Sequence, residues 1–125
     1  MCINQQKYKM ITIYHNPKCT KSREGLCEIE NSNKSFTIRK YLNDPFTKEE
    51  MKDVIKKLNI KPLELVRTKE SIWIENYKGK QLSDEDIIDA LLLHPKLIER
   101  PIIVIDNKAV IARPKEKIYE LMLQI

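Results

Sequence analysis

Met10-Ile11-Thr12-Ile13-Tyr14-His15-Asn16-Pro17-Lys18-Cys19-Thr20-Lys21-Ser22-Arg23 is the stretch that decides the fold of this chain. Its first five residues are apolar or β-branched and predict a short buried strand. His15-Asn16-Pro17-Lys18 breaks that strand, because proline supplies no N–H to a ladder. From Cys19 a helical stretch runs to near Glu30. Asn31-Ser32-Asn33-Lys34-Ser35 forms a turn, and Phe36-Thr37-Ile38-Arg39 a second strand. Strand, turn, helix, strand is the opening of a parallel α/β unit, since parallel neighbours need a crossover between them.

Downstream the period changes from two to that of a helix. Thr47-Lys48-Glu49-Glu50 is a capping box, with Phe46 and Met51 placed as a hydrophobic staple. Met51, Val54, Ile55 and Leu58 then mark one face of an amphipathic helix. Ser83-Asp84-Glu85-Asp86 repeats the device, with Leu82 and Ile87 as its staple. Its apolar stripe is Ile87, Ile88, Leu91 and Leu92, stopped by His94-Pro95. Between the two helices a short helix is expected around 62–67 and irregular chain from there to 77. Ile102-Ile103-Val104-Ile105 and Ala109-Val110-Ile111-Ala112 flank a turn at Asp106-Asn107, a hairpin signal. Pro114 suits the first position of a last helix whose core face is Ile118, Leu121, Met122 and Ile125. The expected architecture is α/β: a four-stranded mixed sheet flanked by helices, with a helical insertion before the last β-hairpin. Residues 1–125 are expected to form one domain, with 1–9 as a polar tail.

Composition limits what such a domain does. With 125 residues, 42% apolar and 33% charged, the chain can build a core and is too apolar for disorder. Its 23 basic residues exceed its 18 acidic ones by five. That excess suits an anionic substrate or a nucleic acid without choosing between them. The Lys are dispersed and lie mostly opposite apolar helix faces, so a solvated surface is the reading here and no nucleic-acid partner is expected. The longest strongly apolar runs, 90–93 and 102–105, fall far short of a membrane span, and 1–9 lacks the apolar region of a signal peptide. Three cysteines, Cys2, Cys19 and Cys27, form neither a closed disulfide framework nor a CxxC pair, and with two His they make no zinc site. A soluble, cytoplasmic monomer without a metal is expected.

Cys19 stands out chemically. It follows a strand end at the first turn of a helix, where unpaired N–H groups and the helix dipole favour a thiolate. Ser22, three residues on, can reach the sulfur with its hydroxyl or its backbone N–H. Lys18, Lys21 and Arg23 add positive charge, and His15 precedes it by one turn of chain. The plainer alternative is a small buried hydrophobe, the commonest fate of a free cysteine. Cys27, flanked by Leu26 and Ile29, is expected to be core or half-buried, and neither it nor Cys2 is expected to act as a resolving thiol. Only five of the basic residues are Arg: Arg23, Arg39, Arg67, Arg100 and Arg113. They are either compositional remainder or the places where a planar, bidentate fork grips an oxyanion.

Tyr14-His15-Asn16-Pro17-Lys18-Cys19-Thr20-Lys21-Ser22-Arg23 resembles the active-site loop of the glutaredoxin-coupled arsenate reductase family, a thioredoxin-like family that also contains Spx-type transcription regulators. Glu99-Arg100-Pro101-Ile102-Ile103-Val104 and Ala112-Arg113-Pro114 are similar to two further family motifs, and Leu65-Val66-Arg67 to a third, less distinctive one. The resemblance spans about residues 11–122. It implies that Cys19 is the nucleophile, that His15 assists its ionisation and that Ser22 hydrogen-bonds the thiolate. Arg67, Arg100 and Arg113 would hold the oxyanion, which accounts for three of the five arginines. Left to themselves, His15 would cap local backbone and Arg67 would be a helix-end charge. A cis peptide before Pro101 also follows from the thioredoxin-like fold. Thr20 stands where the best-known reductases carry glycine, a departure that bears on the substrate.

On this resemblance the chain is an arsenate reductase-like thiol oxidoreductase with no bound cofactor. It would act on arsenate or a related oxyanion, with glutathione as co-substrate and glutaredoxin as partner. The alternative is an Spx-like regulator that binds RNA polymerase without a redox switch, since Ser22 occupies the second position of the CxxC that such switches use.

Overall fold

The first strand, β1, runs Ile11–Tyr14 and pairs in parallel with β2, Phe36–Arg39, in the register Ile11 to Phe36 and Tyr14 to Arg39. Helix α1, Thr20–Asn31, supplies the crossover that a parallel pair requires. In this computed structural model, residues 11–32, 35–112 and 116–122 are described. Two later strands, β3 (Ile102–Ile105) and β4 (Lys108–Ile111), form a hairpin around Asp106-Asn107, with Asp106 at φ 55° as a tight two-residue turn demands. β3 lies antiparallel to β1, so the sheet order is β2-β1-β3-β4 and the sheet is mixed, as expected. The chain groups into two compact units, Met1–Arg39 with Arg100–Ile125, and Lys40–Glu99.

In the first unit the core lies on one face of the sheet. Direct pairing puts Ile11 opposite both Phe36 and Ile105, Ile13 opposite Ile103, and Ile103 opposite Val110. Paired residues share a face, so these side chains form one apolar layer. Ile29 of α1, Ala112, and Ile118 and Leu121 of α5 (Lys117–Met122) complete it. β3, between two neighbours, is buried along its whole length, whereas the edge strand β2 is not. The expected core residue Ile125, the side chain of Met122 and the helix-opening Pro114 lie outside the described residues, as do Met10 and the tail 1–9.

The second unit is helical. α2 (Lys48–Leu58) begins with the expected capping box: Thr47 Oγ1 accepts from the Glu50 N–H and Glu50 Oε1 from the Thr47 N–H. Met51, Val54 and Ile55 are buried, and Asn59 ends the helix in the left-handed region at φ 57°. A 3₁₀ turn, Pro62–Leu65, stands where a short helix was expected. α3 (Ser71–Asn76) replaces the irregular chain expected there. Six residues are too few to show a helical period, and stacking of Trp73 on Tyr77 at 5.1 Å helps to close the segment. α4 (Asp84–Leu93) carries the second capping box on Ser83 and Asp86; its buried face includes Ala90, while Leu92 is only half-buried. Lys48 bridges Glu85 and Asp89, and Lys52 reaches Glu85, tying α2 to α4. An antiparallel bridge pairs Val66 with Ile98, with the Arg67 N–H donating to Leu97 O at 2.7 Å. Among the described residues no helix is long and apolar enough to cross a membrane.

Candidate active site

The loop 15–19 is held by its own polar groups together with Ser22 and Arg23 of α1. Ser22 is fully buried on the inner face of α1, and its Oγ accepts the Asn16 N–H at 2.9 Å while meeting His15 Nδ1 at 2.8 Å. Asn16 Oδ1 accepts the Lys18 N–H, and the Asn16 carbonyl accepts the Cys19 N–H, both at 3.0 Å. Cys19 is the N-cap of α1 in extended conformation, and its carbonyl accepts the first helical bond from the Arg23 N–H. Its side chain is part-exposed. Ser22 therefore meets the nucleophile candidate through its backbone, and its hydroxyl organises His15 and Asn16.

Arg100 reaches this loop through the sheet. Tyr14 at the end of β1 pairs with Ile102 at the start of antiparallel β3, so residue 100 is delivered beside the carboxyl end of β1. The Arg100–Pro101 peptide is cis, as expected. Burial pushes the Cys19 thiol up, yet three opposing effects win. These are the Ser22 backbone N–H, the hydrogen bond and positive charge of Arg100, and the Lys21 backbone N–H. The thiol comes down from 9.0 to about 7. The charge acting on the sulfur is thus Arg100, not the Lys18, Lys21 and Arg23 side chains that neighbour it in sequence. Arg23 instead donates from Nη1 to the Pro17 carbonyl at 2.8 Å and from Nη2 to Thr20 Oγ1 at 3.2 Å.

The close packing of α1 on the start of β3 depends on Gly25. A Cβ there would stand 2.7 Å from Pro101 Cγ, closer than non-bonded carbons approach. The sequence signal was present, since a glycine inside a helix costs about 1 kcal/mol against alanine and calls for a packing reason. Ala112 also donates its N–H to the Pro101 carbonyl, so β4 ends beside the same peptide. Arg113 follows Ala112 and lies outside the described residues. Arg67 belongs to the helical unit, where its Nη1 meets Glu70 Oε2 at 3.1 Å and its Nε meets Glu99 Oε1 at 3.8 Å. Arg39, one of the two arginines the oxyanion does not account for, sits 5.9 Å over the Tyr14 ring. Cys27 is exposed, which corrects the expected core or half-buried packing. The buried face of α1 is Ser22, Gly25 and Ile29, and residue 27 points roughly 200° away from 25 at 100° per residue. Among the described residues no group of His, Cys, Asp and Glu could hold a metal ion.

Residues 14–121 match the ArsC family. The chain belongs to that family. ArsC proteins share the thioredoxin-like fold seen here. Among ArsC relatives, an uncharacterized protein of Escherichia coli, YfgD, is 39% identical over 116 residues, covering 91% of this chain and 98% of its own. The arsenate reductase of Haemophilus influenzae is 37% identical over 114 residues, covering 90% and 98%. The solved structure of the arsenate reductase from Vibrio cholerae superposes with a TM-score of 0.85 at 40% identity, covering 90% of this chain and 97% of that one.

Proposed function

We propose that this ArsC-family protein is an arsenate reductase-type thiol oxidoreductase whose nucleophile is Cys19. One observation carries the reading: a part-exposed thiol at the head of a helix, brought to about 7 beside a guanidinium. Such a sulfur is about half thiolate at neutral pH, against about one part in a hundred for an unshifted thiol, and the adjacent Arg100 offers charge-assisted bonds to an oxyanion. The similarity to reductases in Haemophilus and Vibrio supports arsenate as the substrate.

In the proposed cycle the Cys19 thiolate attacks arsenic, a sulfur–arsenic bond forms and an arsenate oxygen leaves as water. Glutathione thiolate then attacks the Cys19 sulfur. The sulfur–arsenic bonding pair passes to arsenic, reducing it from As(V) to As(III), while the two thiols are oxidised to a mixed disulfide. Arsenite departs, and glutaredoxin removes the glutathione from Cys19. Arg100, Arg67 and Arg113 neutralise the oxyanion, and His15 acts through Ser22 on the loop that carries the thiol. The protein works as a single-domain monomer in the cytoplasm without a prosthetic group, and needs an external thiol because no cysteine occupies position 22.

The test is arsenate-dependent NADPH oxidation with glutathione, glutaredoxin and glutathione reductase supplied. Turnover that requires both thiol components, and vanishes in Cys19→Ser, is the expected result. Absence of turnover with every reductant, despite a reactive Cys19, would sink the reading.

A further inference from the structure

The Arg23 side chain makes two bonds that the proposed chemistry does not use. Its guanidinium donates Nη1 to the carbonyl of Pro17, two residues before the nucleophile, and Nη2 to the hydroxyl of Thr20, one residue after it. One planar group thus grips the chain on both sides of Lys18-Cys19. The peptide groups between these grips are fixed as well: the Cys19 N–H donates to Asn16 O, and the Cys19 carbonyl accepts from the Arg23 N–H. On the buried side Ser22 Oγ holds Asn16. The solvent side of the loop is spanned by Arg23.

We propose that Arg23 and Thr20 form a positioning pair that holds the Cys19 loop against the head of α1, so that the sulfur stays aligned with the first-turn amides. An amide lowers a thiol only while its N–H points at the sulfur, and that direction is set by the backbone of residue 19. A guanidinium makes two divergent bonds at once, whereas an ammonium is a single point donor that cannot reproduce the fork. Thr20 serves as the fixed end because it is the first residue of the helix and moves with it. The inference concerns the thiol itself and stands apart from which oxyanion it meets.

The experiment follows the pH profile of Cys19 alkylation by iodoacetamide in the full-length protein, read by mass mapping of the Cys19 peptide. Arg23→Lys keeps the charge and loses the fork; Thr20→Val keeps the shape and loses the acceptor. Each is expected to move the midpoint upward from about 7 and to slow alkylation at pH 6 about 3-fold, the change in thiolate fraction for half a pH unit. Thr20→Ser, which retains the hydroxyl, restores the profile. The double variant Thr20→Val with Arg23→Lys is expected to be no slower than Arg23→Lys alone, because the bond that Thr20→Val removes is already lost with the fork. Thermal melts of all variants check that the fold persists. An unshifted profile in either single variant, a Thr20→Ser profile like that of Thr20→Val, or full additivity in the double variant overturns the pair.

Discussion

At Cys19 the balance between burial and hydrogen bonding comes out in favour of the thiolate, and that balance can be measured. Alkylation at pH 6 should label Cys19 well before Cys27, whose sulfur lies midway along the helix with the Asn31 side-chain amide at 3.7 Å. Equal or inverted labelling by mass mapping would contradict the assignment. Arg100→Gln should raise the Cys19 midpoint from about 7 towards the ordinary 9.0 and slow alkylation at pH 7 about 3- to 10-fold. The sign is fixed: removing a cation that stabilises the charged form moves the thiol upward. Ser22→Ala strands the buried Asn16 N–H and takes a partner from His15, so a stability loss of about 1–3 kcal/mol is expected in chemical denaturation. The position of Cys19 was legible because strand, proline break and helix follow one another within fourteen residues. The charge that acts on it was not. Lys18, Lys21 and Arg23 are its neighbours along the chain, but side-chain direction at a helix head is set in three dimensions, and the effective cation arrives from residue 100 through an antiparallel pairing.

At the scale of elements, two contacts between helices and their surroundings invite substitution. Gly25→Ala improves helix propensity by about 1 kcal/mol yet drives a methyl group into Pro101. Overpacking of this kind costs about 1–3 kcal/mol, so a net loss of stability is expected, together with a slower Cys19, since α1 must shift away from the start of β3. A stabilised Gly25→Ala with wild-type thiol reactivity would show that the contact is slack. In the helical unit Glu85 is held down to about 2 by hydrogen bonds to Lys48 and Lys52 across α2 and α4. A carboxylate with a depressed folded value stabilises the protein above its unfolded value and loses that effect as pH falls through the folded one. Glu85→Gln should therefore lower the Tm slightly at pH 7, by an amount that shrinks in salt and disappears near pH 2. Both capping boxes were legible because each is a four-residue pattern with a local mechanism. α3 was not, because its closure depends on an aromatic contact rather than on a repeat.

For the molecule as a whole, the proposed oxyanion clamp draws on three distant parts of the chain. Replacing Arg100 or Arg113 by Lys keeps charge and removes the fork, and arsenate-dependent kcat/KM is expected to fall about 10- to 1000-fold. Arg67→Lys should have the smallest effect of the three, since that guanidinium already shares its charge with Glu70 and Glu99. Steady-state kinetics of the three variants give the ranking directly. The four-strand sheet and the insertion within it were readable from the order of periods along the chain. The division into Lys40–Glu99 and the remainder was not, because no proline-, glycine- or serine-rich linker marks either junction.

The pairing of β1 with β3 also governs how the protein gets built. Ile11 meets Phe36 after one short crossover, but it meets Ile105 only once residues 40–99 have been accommodated between them. Closing so long a loop costs entropy that is recovered only when the ladder forms, and such non-local contacts slow folding. A segment that collapses early shortens the effective loop. The centre of the sheet should accordingly be the last ladder to gain amide protection during refolding, after β1–β2 and the helices of residues 40–99, which gives the newborn chain a window in which the edge of β1 stands open to the wrong partner.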